Sequence, residues 1–172
     1  MKLYLVEIGG MRDGNLFECH EVHALVAASE EQLLRDCQSR FAGAMRAAHL
    51  DGWIELELEH LAPDNRRDGP SFFVAELGRN SASAMREQHD YRFLNAASLR
   101  EAVQAARQGA PGWHVDACVN LDDLAREAGY ALRRDLFGEV PNPRSQARYV
   151  RFLEPRAEAP LQAPVPADPV QA

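Results

Sequence analysis

Two four-residue segments of this chain place a histidine among carboxylates in nearly the same order. Segment 18–21 reads Glu-Cys-His-Glu, and segment 87–90, which lies 69 positions later, reads Glu-Gln-His-Asp. A histidine with carboxylates nearby can bind a divalent metal ion, or it can act as an oriented general base. The two segments therefore indicate two candidate sites with the same chemistry.

A further carboxylate precedes each segment. Glu7 and Glu76 each lie in an apolar run that predicts a strand, and antiparallel pairing of that strand with the next would bring Glu7 towards Glu18 and His20. The candidate catalytic residues are Glu18, His20, Glu87 and His89. The candidate metal ligands are Glu7, Glu18, His20, Glu76, Glu87 and His89.

A purely structural role also explains the same residues, and it is the interpretation that the sequence favours. A partly buried histidine that is paired with a glutamate satisfies a polar group that would otherwise be costly to bury, and it fixes the register of two strands. Duplication copies structural contacts as readily as functional ones, so the recurrence of the pair does not separate the two interpretations.

A second kind of pair also recurs, His49 with Asp51 and His114 with Asp116. Side chains alternate between the two faces of a strand. In the predicted strand 50–58, the leucines and isoleucine at even positions would face the core, which turns His49 and Asp51 away from it. Since Glu18 and His20 lie on the more apolar face of their own strand, we expect that the two kinds of pair do not share one set of ligands. His49 would then belong to a solvated strand start near the end of a helix.

The recurrence extends over a longer stretch and indicates an internal duplication. When the chain is shifted by 69 positions, 8 of the 27 pairs from Leu3 to Ser29 are identical, against about two expected from ordinary residue usage. A repeat of this kind must be recognised before the fold is assigned. Four of the six histidines fall in pairs that the repeat relates.

The elements of each half follow the order strand, strand, helix, strand. Segment 3–8 and its twin 72–77 are apolar on both faces, apart from one glutamate each, which predicts central strands. Segment 9–18 is rich in glycine and predicts a loop. Segments 20–27 and 89–96 predict strands, and Ser29 and Ser98 each begin a capping box that predicts a helix start. The first helix is expected to extend to about residue 48.

These elements predict an α+β protein built from two ββαβ repeats related by a pseudo-two-fold axis. The helices would cover one side of a mixed sheet, or of two abutting sheets. The predicted boundaries are 1–60 for the first repeat, 61–70 for a linker, 71–153 for a second repeat with extra short strands, and 154–172 for a disordered tail rich in proline and alanine.

Composition excludes several classes of function. The chain has 172 residues and is 46% hydrophobic, which suffices for a buried core, but its net charge of −7 opposes binding to nucleic acid. It has no segment that predicts a membrane span or a signal peptide. Three cysteines without a CxxC spacing give no disulfide framework, so we expect a cytoplasmic protein.

Several of these segments together carry a family resemblance. Segment 3–10 (LYLVEIGG), segment 49–53 (HLDGW) and the repeated segments 18–21 and 87–90 resemble the bacterial domain-of-unknown-function 1543 (DUF1543) family. The resemblance covers about residues 1–133 and implies one or two copies of a common unit. It implies unit boundaries and carries no activity, cofactor or ligand with it.

Two classes of function follow from the sequence. The first is a binding or interaction module whose paired units form a groove for a small molecule or another protein. The alternative is a metal-dependent or His/Glu general-base enzyme, similar to a hydrolase, that acts on a small substrate through Glu18, His20, Glu87 and His89. Neither class comes with a specified cofactor.

Overall fold

The computed structural model of the protein describes residues 1–61 and 69–153. Within these ranges no helix is long and apolar enough to cross a membrane. The elements, in chain order, are β1 (Lys2–Met11), β2 (Cys19–Ala27), α1 (Glu30–Phe41), β3 (Arg46–His60), β4 (Ser71–Arg79), β5 (Gln88–Ala96), α2 (Leu99–Gln108), β6 (His114–Asn120), α3 (Leu121–Glu127), β7 (Tyr130–Leu132) and β8 (Arg144–Arg151).

The strands form two antiparallel sheets in an α+β arrangement. The first sheet has the order β2-β1-β3-β7, with β8 also paired to β3, and the second has the order β5-β4-β6. Every one of these strand pairs is antiparallel, so the expectation of a mixed sheet is wrong. The predicted central positions of the strands at 3–8 and 72–77 are confirmed, because β1 and β4 each have a neighbour on both sides.

The two sheets pack face to face, and α1 and α2 cover their opposite outer faces. Alternation along β1 sends Leu3 and Leu5 into a core shared with Phe72 and Val74 of β4. The intervening side chains of β1 pack against α1, and those of β4 pack against α2. The expectation that both helices lie on one side of the sheet is therefore wrong, since each sheet has its own helix.

Both helix starts follow the predicted capping chemistry. The hydroxyl of Ser29 accepts from the backbone N–H of Gln32, and that of Ser98 accepts from the N–H of Glu101, each at 3.3 Å. The predicted end of α1 is wrong, because the helix stops at Phe41 and β3 has begun by Arg46.

Strand β1 runs further than the sequence indicated. It continues through both glycines of the predicted loop and ends at Met11. Its partner β3 is irregular, since Glu7 pairs with Gly52 and Ile8 pairs with Leu50, which leaves one residue of β3 as an extra position. This is a β-bulge, and it reverses the alternation of side chains along β3.

The reversal is visible in the core. Leu50 and Trp53, three residues apart, both pack on the α1 side, whereas Ile54 and Leu56 face the second sheet. The expectation that Leu50 and Ile54 share one face is therefore wrong. In a regular strand the side chains of Leu50 and Ile54 would point to the same face. The bulge between them turns them to opposite faces.

The C-terminal elements join the first sheet. The extra short strands predicted after residue 71 include β7 and β8, and both pair with β3. Helix α3 was not predicted from the sequence. Its first turn is capped by the side chain of Asn120. The predicted disordered tail at 154–172 and most of the predicted linker lie outside the described residues.

Candidate functional site

The register of the first sheet places two histidines on either side of Gly9. Gly9 pairs with His20 of β2 and with His49 of β3. Residues paired across antiparallel strands point to the same face, so both imidazoles lie above the glycine on the face that looks towards the second sheet. With two carboxylates they form the first cluster, which consists of Glu18, His20, His49 and Asp51.

The second sheet repeats this arrangement. Gly78 pairs with His89 of β5 and with His114 of β6. The bulge is repeated as well, since Glu76 pairs with Ala117 and Leu77 pairs with Val115. The second cluster consists of Glu87, His89, His114 and Asp116.

Contacts in the first cluster link each imidazole to both carboxylates. The Nε2 atom of His20 lies 3.1 Å from Asp51 Oδ2 and 3.8 Å from Glu18 Oε1. The Nε2 atom of His49 lies 3.5 Å from Asp51 Oδ1 and 3.9 Å from Glu18 Oε2. Four side chains from two strands and one loop end therefore face a single point.

The second cluster has the same pattern with different spacing. The Nε2 atom of His114 lies 2.9 Å from Glu87 Oε1 and 3.0 Å from Asp116 Oδ1. The Nε2 atom of His89 lies 3.6 Å from Glu87 and 3.7 Å from Asp116. In both clusters the ring nitrogens that face the carboxylates are Nε2.

The glycine beneath each cluster leaves space that the side chains of the cluster occupy. A Cβ atom on Gly9 would lie 2.3 Å from His49 Nε2 and 3.0 Å from Asp51 Oδ2. On Gly78 it would lie 2.2 Å from Asp116 Oδ2 and 2.6 Å from His114 Nε2. The floor of each cluster is therefore bare backbone, and it leaves room that any other residue would fill.

The bulge explains how the two kinds of pair meet, and the expectation that they do not share one set of ligands is wrong. Asp51 is the extra residue of β3, so it stays on the same face as His49 without displacing the later side chains from the core. Gly52 was the available signal, because a glycine inside a strand pattern often marks a bulge. Regular alternation holds only for a strand without such an extra residue.

The ring of His49 is held in one tautomer. Its Nδ1 lies 3.0 Å from the backbone oxygen of Ala47, and a carbonyl oxygen only accepts, so Nδ1 carries the hydrogen. Ala47 has a positive φ of 54°, which is strained for a residue with a Cβ. The same position in the second half is Gly112, with a φ of 82°, where the conformation is unstrained.

Because Nδ1 of His49 carries the hydrogen, its Nε2 is an acceptor that faces the carboxylate oxygens of Glu18 and Asp51, which are also acceptors. In the neutral ring the lone pair of Nε2 faces carboxylate oxygens, so a donor group or a metal ion placed between them would satisfy both. Asp51 Oδ2 is buried and has no hydrogen-bond partner in the described part of the chain. Its 3.1 Å approach to His20 Nε2 therefore lacks hydrogen-bond geometry. A cation bound among these acceptors would satisfy all of them at once.

The donor sets fit a metal ion. In the first cluster Glu18, His20 and His49 offer ligand atoms that all lie within 4.8 Å of one another, and in the second Glu87, His89 and Asp116 do so. Zinc binds imidazole nitrogen and carboxylate oxygen at about 2.0–2.2 Å, so small side-chain rotations would close either set. The carbonyl that holds His49 is the usual second partner of a metal-binding imidazole.

Glu7 and Glu76 lie apart from these close sets and line a cleft between the sheets. The cleft has a volume of about 780 Å³, and His20, Asp51 and His89 also line it. The hydroxyl of Tyr91 donates to Glu76 at 3.5 Å. Burial, and then the charges of Glu76 and Glu7, raise the pKa of Tyr91 to about 12. Both clusters therefore open on one cavity with acidic groups in its wall.

Comparison with known proteins gives a fold and no chemistry. No family model matches the chain, and no curated protein matches it. The structure is similar to that of protein Il1583 from Idiomarina loihiensis, with a TM-score of 0.57 and 21% identity, across 89% of this chain and 99% of that one. The two chains share a fold.

Proposed function

We propose that this protein binds divalent metal ions at two sites, one in each cluster. The observation that supports this best is the convergence of Glu18, His20, His49 and Asp51 over Gly9, with a buried carboxylate oxygen that has no hydrogen-bond partner among the described residues. A register lock between two strands needs one histidine and one carboxylate. It gives no reason for two of each, nor for a floor without a side chain.

The donor types select the class of metal. Two imidazoles with carboxylates suit zinc and other first-row transition ions, whereas calcium and magnesium prefer sets made of oxygen alone. Within the first cluster, His20 and His49 would supply nitrogen ligands and Glu18 and Asp51 would supply oxygen. In the second, His89 and His114 would supply nitrogen and Glu87 and Asp116 oxygen.

We further infer that the two sites arose by duplication of one ββαβ unit, with the halves related by a pseudo-two-fold axis. The support is the matched register, in which Gly9 and Gly78 occupy the same place and Asp51 and Asp116 are the extra residues of equivalent bulges. Membership of the bacterial DUF1543 family belongs to the same proposal, as does a cytoplasmic location.

The cleft supplies the ligand site of a binding module. Its volume suits a small molecule or a short peptide segment. A ligand in the cleft would lie beside both clusters and could contact Glu7 and Glu76 in its wall. In this proposal the metal ions orient the ligand, and the apolar strand residues between them bind its body.

A metal-dependent hydrolase is the second candidate, and it is favoured by the position of Glu7 and Glu76 in the cleft wall. Either carboxylate could accept a proton from a water molecule that a nearby metal ion had polarised. Turnover of a small activated ester by the metal-loaded protein, and its loss on chelation, distinguishes this candidate from binding alone.

The metal proposal is tested by the zinc content of protein that has been loaded and then desalted. We expect about two ions per chain in the native protein. We expect one in His20→Ala, whose second cluster is intact, and one in His89→Ala, whose first cluster is intact. The content is measured by mass spectrometry of the elements.

His60→Ala is the matched control, because His60 lies at the far end of β3 beside Tyr130 and outside both clusters. It should retain both ions. Native protein that holds no zinc after loading, together with cluster variants that only unfold at lower temperature, would leave the structural interpretation standing.

A further inference from the structure

The two clusters have the same residues in different surroundings. We propose that they are unequal metal centres: the first retains its ion, and the second exchanges it readily with solution. This inference rests on the proposed metal binding and adds a division of labour between the halves. It follows from what covers each cluster.

Exposure of the imidazoles differs sharply between the halves. The side chain of His49 is 7% exposed, and that of its counterpart His114 is 49% exposed. His20 is 31% exposed, against 45% for His89. A water molecule or a competing chelator therefore reaches the nitrogen ligands of the second cluster far more easily.

The cause of this difference is β8, which among the described elements covers the first cluster and not the second. It pairs with β3 alongside that cluster, with Arg151 opposite His49. From β8 the ring of Tyr149 packs on the imidazole of His49, with ring centroids 4.8 Å apart. In the described part of the chain β6 pairs only with β4, so no strand there covers His114.

The rings also differ in how firmly they are held. His49 donates from Nδ1 to the oxygen of Ala47, which fixes the ring before a metal arrives. Among the described residues the polar contacts of His114 are those of its Nε2 with Glu87 and Asp116. A ligand that must be ordered on binding holds its metal less tightly than one already in place.

The loops between the paired strands also support the two clusters differently. Arg86, which lies between β4 and β5, donates to the backbone oxygen of Glu18 at 3.0 Å. The second half thus steadies the backbone at the carboxylate-bearing end of the first cluster. In the second cluster Asn80 instead donates to the carboxylate of Glu87 itself, at 3.0 Å, and so competes with a metal ion for one of its oxygens. Both contacts favour tighter retention of a metal ion at the first cluster than at the second.

The test follows the release of zinc from the loaded full chain into an excess of a chromophoric chelator. We expect two phases of one ion each. The fast phase should be absent from a His89→Ala/His114→Ala variant, and the slow phase should be absent from a His20→Ala/His49→Ala variant. Tyr149→Ala should speed the slow phase about tenfold, as expected for a partner outside the ligand set.

Tyr130→Ala is the matched control, because Tyr130 packs on His60, which is remote from both clusters. It should leave both phases unchanged. Two bound ions released in a single phase would overturn the inequality while leaving metal binding intact. A slow phase that Tyr149→Ala does not change would overturn the role given to β8 as its cause. Protein that takes up no zinc at all would instead overturn the proposed function itself.

Discussion

Gly9 and Gly78 are each the residue of a central strand that lies directly beneath a cluster. The absence of a side chain lets two imidazoles from the flanking strands approach the same point, since a Cβ atom on Gly9 would lie only 2.3 Å from the nearest ring nitrogen. The two histidines that flank each glycine are set by the strand register. At this scale each site is the space above a glycine, and the candidate ligand side chains surround that space.

The glycine floor can be tested with a single methyl group. Gly9→Ala should push His49 out of position and weaken zinc binding at the first cluster about 10- to 100-fold, the range expected when the support of a ligand is lost. The second cluster should be unchanged. Titration of the metal-free protein with zinc should then show one site near the native affinity and one much weaker.

Gly78→Ala is the internal control, because it should weaken the other site and spare the first. If both sites of either variant bind as in the native protein, the glycines are not the floor of metal centres.

At the scale of elements, β3 positions His49 and Asp51 in the first cluster, and β8 shields that cluster from solvent. The bulge at Asp51 keeps that residue beside His49 while the later side chains of β3 turn into the core between the sheets. Strand β8 then covers the edge of β3. Its end is tied to α1, since Gln38 exchanges two hydrogen bonds with the backbone of Leu153.

Truncation separates the contribution of β8 from that of the segment beyond it. A chain of residues 1–153 should have the same stability as the full chain, as the proline- and alanine-rich composition of segment 154–172 predicts. A chain of residues 1–142 should lose at least about 3 kcal/mol, because it loses the buried Phe152 and leaves residues 49–55 of β3 unpaired along one edge.

Denaturant unfolding of the three chains makes the comparison. Equal stability of the full chain and the 1–142 chain would mean that β8 does not pack as described. A loss on removing 154–172 alone would mean that the tail is part of the fold.

Much of this architecture was accessible from the sequence because it depends on local patterns. Apolar runs predicted β1 and β4 as central strands, and Ser29 and Ser98 predicted the helix starts. The meeting of His20 with His49 was not predicted, since one extra residue in β3 reverses a whole strand and its local sign, Gly52, was not interpreted as a bulge. Helix α3 was not predicted, because the apolar Leu121 follows β6 without a break and so obscures the cap at Asn120.

At the scale of the whole molecule, two sheets face each other and share one cleft. The pairing is long-range: Leu3 and Leu5 of the first sheet pack with Phe72 and Val74 of the second, and Glu7 contributes to the raised pKa of Tyr91 across the interface. No local pattern specifies which faces of two sheets will meet. The result is that both clusters open towards the same cavity.

The proposed function requires metal ions at two equivalent points of this molecule. The most direct measurement is an anomalous difference map at the zinc absorption edge, from crystals of zinc-loaded protein. We predict two peaks per chain, one in contact with His20 and His49 and the other in contact with His89 and His114, the second weaker after brief exposure to a chelator. Crystals of the loaded protein with no peak at either cluster would contradict the account.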